Sequence, residues 1–247
     1  MYPEISIFFG KIPTFTLLAV CGICAMFFFA WLFIEPEKRS NGIAFIFPRI
    51  VISGLCGFGF AGIFDSIFKY IKYGEFKFYG ITFYGGLLGG VLCLYLLLKF
   101  SKIDTVYATK EWFDRLIPGF ILFHIFGRIG CFLGGCCYGK YSQSIFAIAF
   151  PDNEKNGIFH NGLKCLPTQL FEAIALIVIL LIVLRCKNRF KIYLYCYAPT
   201  RFCLEFLRGD DRGNALFALS PSQMISLGII LVLLLLGIKK HIFSKTH

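Results

Sequence analysis

LIPGFILFHIFGRIGCFLG, residues 116–134, is long and apolar enough to cross lipid as a helix, yet it carries an arginine, Arg128. At about 1.5 Å of rise per residue, a hydrocarbon core of ~30 Å takes roughly 20 helical residues. A guanidinium stays charged, and at a bilayer centre it costs about 2.5–3.5 kcal/mol on the mildest scale. Such a charge persists where it has a partner. The stretch therefore reads as a membrane helix packed inside a bundle, with Arg128 facing either an acid of the same protein or an anion such as a lipid phosphate.

Six further runs flank this one: residues 13–34, 43–68, 78–100, 168–186, 190–207 and 221–238. Those at 13–34, 78–100, 168–186 and 221–238 are strongly apolar. The run at 43–68 contains Pro48, Arg49 and several glycines and ends near Asp65, and the run at 190–207 carries charges and a proline, so both require burial among other helices. The chain is 57% hydrophobic and 16% charged, against about a quarter charged in soluble domains. The expectation is an all-α integral membrane protein, a single polytopic domain over residues 1–247. About seven transmembrane helices form one bundle, with a long external loop at 140–167. Within that loop, FAIAFPDNEKNG suggests a short hairpin against the membrane surface. The apolar run before and beyond Cys21 extends too far for a signal-peptide core, and Val20 is not the small residue that lipoprotein cleavage needs. The first run is therefore expected to be a retained helix.

Basic residues in the short loops number thirteen on one side and nine on the other, which orients the N-terminus outside and the C-terminus in the cytoplasm. The net charge of +11 sits between apolar runs, as suits an anionic membrane surface, and no basic stripe interleaved with aromatics points to nucleic acid. Most of the eleven cysteines lie inside apolar runs, where a thiol behaves as a small hydrophobe.

His124 and Arg128 are four residues apart and share a helix face, among Gly127, Gly130, Gly134 and Gly135. Those glycines serve close helix packing or the approach of backbone N–H groups to a ligand. The adjacent Cys136 and Cys137 lack CxxC spacing and a second Cys/His pair, so no metal or other cofactor is expected. FYGGLLGG, residues 83–90, offers a small-residue packing face, with Tyr84, Gly85 and Gly86 as the alternative edge of a cavity. In PTQLFEA, residues 167–173, Thr168 begins or caps a helix and Glu172 is poised to pair with an arginine or orient a substrate. In RFCLEFLRGDDRG, residues 201–213, Arg201, Glu205 and Arg208 fall on one side of a helix, with Tyr197 a turn earlier. Two readings stand: an ion-pair network that neutralises itself, or two arginines on different helices that clamp a phosphate.

YGGLLGG, GRIGCFLGGCCYG, PTQLFE and YAPTRFCLEFLRGD, in this order and spacing, resemble the prolipoprotein diacylglyceryl transferase family over nearly the whole chain. The resemblance implies transfer of a diacylglyceryl group from phosphatidylglycerol to the cysteine thiol of a lipoprotein precursor, with release of glycerol phosphate. It implies a multi-pass protein of the bacterial plasma (inner) membrane whose partners are phosphatidylglycerol, the precursor's signal peptide and membrane lipids. Arg128 and Arg201 match the family's essential arginines, Tyr197 and Gly139 match further family positions, and Glu205 would brace Arg201. Gly85, Gly86 and Glu172 would contribute to substrate binding. Tyr84 stands where well-known members carry a histidine, Cys131 and Cys136 where they carry Asn and Glu, and the tyrosine expected early in the first helix is absent near Phe15 and Thr16. The chain resembles a divergent branch, in which His124 could replace the missing base. The alternatives are a homologue with the same lipid cavity and another acceptor, or a non-enzymatic lipid-binding or transport protein.

Overall fold

The computed structural model describes residues 4–7, 10–74, 83–101, 106–152, 162–209 and 219–245. Among them are seven α-helices: α1 (Thr14–Phe33), α2 (Arg39–Tyr73), α3 (Phe83–Lys99), α4 (Thr109–Leu133), α5 (Thr168–Leu184), α6 (Arg189–Glu205) and α7 (Pro221–Lys245). A short 3₁₀ turn, Pro36–Lys38, separates α1 from α2. Two small antiparallel pairs complete the described structure. β1 (Glu4–Ile7) pairs with β2 (Gly10–Pro13) ahead of α1, and β3 (Ile148–Ala149) pairs with β4 (Lys164–Cys165) inside the loop between α4 and α5. The β1–β2 pair was not expected. Residues 153–161, at the centre of the expected loop hairpin, lie outside the described residues.

This is an all-α membrane protein. α1, the segment Pro36–Ile67 and α4 are each long and apolar enough to cross a membrane, and Gly85–Lys99, Thr168–Leu184 and Pro221–Gly237 are shorter apolar helices. Large apolar side chains cover the outward faces, including Val20 and Phe28 on α1, Ile174, Val178 and Leu181 on α5, and Leu231, Val232 and Leu235 on α7. Such a surface is stable against lipid tails and would aggregate in water.

The chain divides into two compact units. One comprises Met1–Ala30, Leu116–Arg212 and Leu219–His247. Its centre is an aliphatic and aromatic cluster. Ile117, Ile121 and Ile125 recur every four residues along α4. They pack with Leu176, Ile179, Leu180 and Val183 of α5, and with Tyr193 and Tyr197 of α6. Glycines bring α1 and α4 together. A Cβ on Gly119 would lie 2.6 Å from the Met26 carbonyl oxygen, and one on Gly22 3.1 Å from the Phe123 Cα. Close backbone approach through small residues is a main way that helices gain packing contacts where lipid is as apolar as leucine. α7 starts on a capping box: the Gln223 N–H donates to Ser220 Oγ (3.2 Å), and the Ser220 N–H donates to Gln223 Oε1 (3.0 Å).

The other unit comprises Trp31–Arg115 and Gly213–Ala218. Here α2 and α3 meet along glycines. Gly57 faces the Gly86 carbonyl, and Gly90 faces the Ser53 carbonyl. The small-residue packing face anticipated for residues 83–90 is thus realised. Arg49, one residue beyond Pro48 in α2, donates from Nη1 to the Phe45 carbonyl four residues back and from Nη2 to Ser101 Oγ. At the α1–α2 junction, Arg115 Nη1 donates to the Phe33 carbonyl (2.7 Å), and the Glu35 N–H donates to the Tyr107 hydroxyl (3.0 Å). Trp112 is fully buried against Phe45 and Tyr107. These contacts explain why α4 begins at Thr109, ahead of the purely apolar stretch.

Gly57→Ala places a Cβ 2.7 Å from a backbone oxygen that no side-chain motion relieves. It is expected to lower stability by about 1–3 kcal/mol, whereas Gly54→Ala, which meets nothing within 4 Å, leaves stability unchanged or slightly raised. Thermal unfolding of the two variants in detergent distinguishes them. Equal midpoints would show that glycine does not set the α2–α3 contact.

Candidate functional site

α4, α5 and α6 each send charged side chains into the same interior. Along α4, His124 and Arg128 lie one turn apart on one face, as anticipated, and both are buried. Arg128 Nε donates to His124 Nε2 (3.3 Å). Glu172 projects from the first turns of α5. Its Oε1 lies 2.9 Å from Arg128 Nη2 and 3.5 Å from His124 Nε2, and it accepts the Tyr197 hydroxyl at 2.8 Å. Its other oxygen, Oε2, lies 3.9 Å from Arg201 Nη1. On α6, Arg201 Nη2 contacts Glu205 Oε2 at 2.5 Å, the i, i+4 pair expected from the sequence. The Tyr197 ring stacks on Tyr193 and meets the His124 ring edge-on.

Both arginines therefore converge on one carboxylate from facing helices. The self-neutralising network and the phosphate clamp are not exclusive, because the arginines are only partly engaged. Nε and Nη1 of Arg201 are buried without a hydrogen-bond partner among the described residues, and its Nη2 donates to Ser222 Oγ of α7 at 3.3 Å. The buried charged side chains described in this unit are Arg128, Arg201 and Arg208 against Glu172 and Glu205.

The peptide after α4 is shaped by its two glycines. Gly135 takes the left-handed conformation (φ 71°), the Cys136 N–H bonds back to the Cys131 carbonyl (3.1 Å), and the Gly135 N–H bonds to that of Phe132 (3.1 Å). This is a Schellman ending, which folds the residue after the left-handed position back over the last turn. α5 then grips the loop. Gln169 Nε2 donates to the Cys136 carbonyl (2.6 Å) and Thr168 Oγ1 to that of Cys137 (3.1 Å). Thr168 thus begins α5 and holds the preceding loop; it does not cap its own helix. Gly139 bridges to Arg208, and a Cβ on it would lie 2.7 Å from the carbonyls of Leu166 and Leu207. Its requirement for glycine comes from this backbone crowding. The contact with Cys131 lowers the pKa of the Cys136 thiol, while Cys137 and burial raise it, to about 11 on balance, so Cys136 is protonated at neutral pH.

The structure thus brings together His124, Arg128, Glu172, Tyr197, Arg201 and Glu205, with Gly139 in the adjoining loop. Gly85 and Gly86 belong to α3 in the other unit, where Gly86 packs on α2. Tyr84 lies in the first turn of α3, and its side chain is outside the described residues. The glycines of α4 divide their tasks. Gly130 packs on Phe15, Gly134 and Gly135 end the helix, and Gly127 faces open space. Ser222, Thr168 and Gln169 were not read as site residues. The approach of Cys131, Cys136 and Cys137 was also missed, because CxxC spacing was the pattern sought.

A profile of the prolipoprotein diacylglyceryl transferase family matches residues 4–239. The chain belongs to that family. The convergence of Arg128 and Arg201 thus occurs in a family named for diacylglyceryl transfer. Among curated relatives, the phosphatidylglycerol--prolipoprotein diacylglyceryl transferase of Clostridium tetani is 33% identical over 160 residues, covering 62% of this chain and 61% of the relative. The enzyme numbered 2 from Clostridium perfringens is 36% identical over 159 residues, covering 62% and 59%. That of Dehalococcoides mccartyi strain BAV1 is 25% identical over 230 residues, covering 87% and 84%. The chain spans about three fifths of the length of the first two relatives.

Glu172→Gln removes a carboxylate that both guanidiniums approach. It is expected to destabilise the protein by about 3–5 kcal/mol, because buried charges lose their partner. Tyr197→Phe removes one hydrogen bond and should cost about 1–2 kcal/mol. If thermal unfolding in detergent ranks these variants in the opposite order, Glu172 is not the shared counter-ion.

Proposed function

We propose that this protein transfers the diacylglyceryl group of phosphatidylglycerol to the lipobox cysteine thiol of lipoprotein precursors and releases glycerol phosphate, the first step of lipoprotein maturation. The observation that carries this reading is the convergence of Arg128 and Arg201 on Glu172 from facing helices, with two Arg201 nitrogens lacking hydrogen-bond partners among the described residues. A phosphodiester supplies one negative charge and acceptor oxygens for those donors. Family membership and the relatives' names support the same substrates. The setting we propose is the bacterial plasma (inner) membrane, with the N-terminus outside and the C-terminus in the cytoplasm, and a single polytopic domain.

In this mechanism the thiol sulfur bonds to the glycerol carbon that carries the phosphate ester. The carbon–oxygen bond breaks, and its electron pair leaves on glycerol phosphate. Negative charge grows on the departing oxygen, so arginine donors aimed at the phosphate bind the transition state more strongly than the ground state. The thiol proton goes to His124. Its Nε2 accepts the Arg128 Nε–H. A phosphate that takes Arg128 for itself releases that nitrogen, so lipid binding makes the base available. Tyr197 and Glu205 hold Glu172 and Arg201 in place through the contacts described above. Tyr84, in place of the family histidine, favours one second reading: the same lipid chemistry directed to a different acceptor.

The test incubates purified protein with phosphatidylglycerol and a peptide carrying a lipobox cysteine, and follows thioether product and glycerol phosphate. Product is expected. Arg201→Lys, which loses the planar fork of donors, should lower the rate by about 10²–10³-fold. His124→Gln keeps an acceptor for Arg128 without a useful base and should lower it by about 10²–10⁴-fold. Glycerol phosphate released only with another thiol acceptor would select the second reading, and no release from folded protein would overturn both. An undiminished rate in His124→Gln would remove the imidazole from the proton path.

A further inference from the structure

The Schellman turn that ends α4 does more than stop a helix. It sets Cys136, the residue after the left-handed Gly135, over Cys131 in the last full turn, and the Cys136 thiol reaches the Cys131 carbonyl at 3.6 Å. Cys137 follows in a left-handed conformation (φ 65°) that non-glycine residues seldom adopt. Thr168 and Gln169 hold the carbonyls of this cysteine pair from α5. The outcome is that the sulfur atoms of Cys131, Cys136 and Cys137 all lie within 4.8 Å of one another.

We infer that Cys131, Cys136 and Cys137 form a binding site for a thiophilic cation of the zinc(II) or cadmium(II) class. With metal–sulfur bonds of about 2.3 Å, the sulfurs of a tetrahedral site stand about 3.8 Å apart. The three sulfurs therefore need to draw in by no more than about 1 Å each. Soft thiolate ligands select such ions over magnesium or calcium, and three protein ligands leave one position open. Each thiol releases its proton to solvent on binding, so three thiolates and a divalent ion carry one net negative charge. That charge falls within electrostatic reach of Arg128, beside Cys131 and Cys137, and of Arg208, beside Cys136. The ion would join the end of α4, one turn beyond Arg128, to a loop that α5 already grips. The site rests on the cysteine geometry alone and does not depend on the transfer reaction proposed above.

The probe is cadmium(II), added to full-length, reduced, chelator-stripped protein in detergent. Binding is read from the ultraviolet thiolate-to-metal charge-transfer band and from metal content after gel filtration. One equivalent is expected on the wild-type chain. Cys131→Ser, Cys136→Ser and Cys137→Ser should each weaken binding by more than about tenfold, while Cys186→Ser leaves it unchanged. Should any serine variant fail to fold, alkylation of the wild-type protein gives the same answer. Cadmium should protect Cys131, Cys136 and Cys137 from iodoacetamide and leave Cys186 as reactive as before. The inference is overturned by absence of the band, by wild-type affinity in any of the three folded variants, by lack of protection, or by a disulfide among the three cysteines in protein prepared under reducing conditions.

Discussion

A single carboxylate, that of Glu172, is the constraint around which the described site is arranged. It is buried with Arg128 at 2.9 Å and Arg201 at 3.9 Å, and it accepts the Tyr197 hydroxyl. Desolvating these charges is expensive, and their mutual attraction offsets that only when geometry is good and the remaining polar atoms are satisfied. α4, α5 and α6 can therefore pack against one another in few registers. The aliphatic cluster of Ile121, Leu176 and Ile179 supplies contact between them; the polar cluster decides which turn faces which. Electrostatics here contributes specificity more than stability.

The same arrangement leaves binding capacity in reserve. A network with every donor satisfied would have nothing to offer an anion. This one leaves two Arg201 nitrogens without acceptors among the described residues. Unsatisfied buried donors cost stability, and proteins retain such features where a ligand completes them. The loop from Gly134 to Gly139 stands beside this reserve. Its shape comes from backbone chemistry: a glycine-dependent helix ending, carbonyls held by Thr168 and Gln169, and a crowded crossing at Gly139 that excludes a Cβ. Sequence motifs that read as ligand-binding glycines are here divided between helix packing, helix termination and strand crossing.

Much of this was legible in the residues. Charges inside apolar runs stand out because lipid penalises them, so Arg128, Arg201, Glu172 and Glu205 could be named before any coordinates, and His124 and Tyr197 followed from helical spacing. The apolar runs anticipated the helices to within a few residues where packing is purely aliphatic, as in α1 and α5. The start of α4 was placed seven residues late, because Trp112 and Arg115 are held by Phe45, Tyr107 and the Phe33 carbonyl, partners remote in sequence. Ser222 escaped notice because a serine in a helix's first turn reads as ordinary capping chemistry until Arg201 is seen beside it.

The sequence by itself determined an all-α membrane protein, the approximate extent of its helices, and which residues could not be left alone in lipid. It did so because hydrophobic length and isolated charge are local properties, measurable along one chain. Only the tertiary structure decided how those charges are shared. That Arg128 and Arg201 approach one carboxylate, and that three cysteines meet at the end of α4, both depend on distances between segments. Those distances follow from helix packing and from one left-handed turn at Gly135, and no count of residue types contains them.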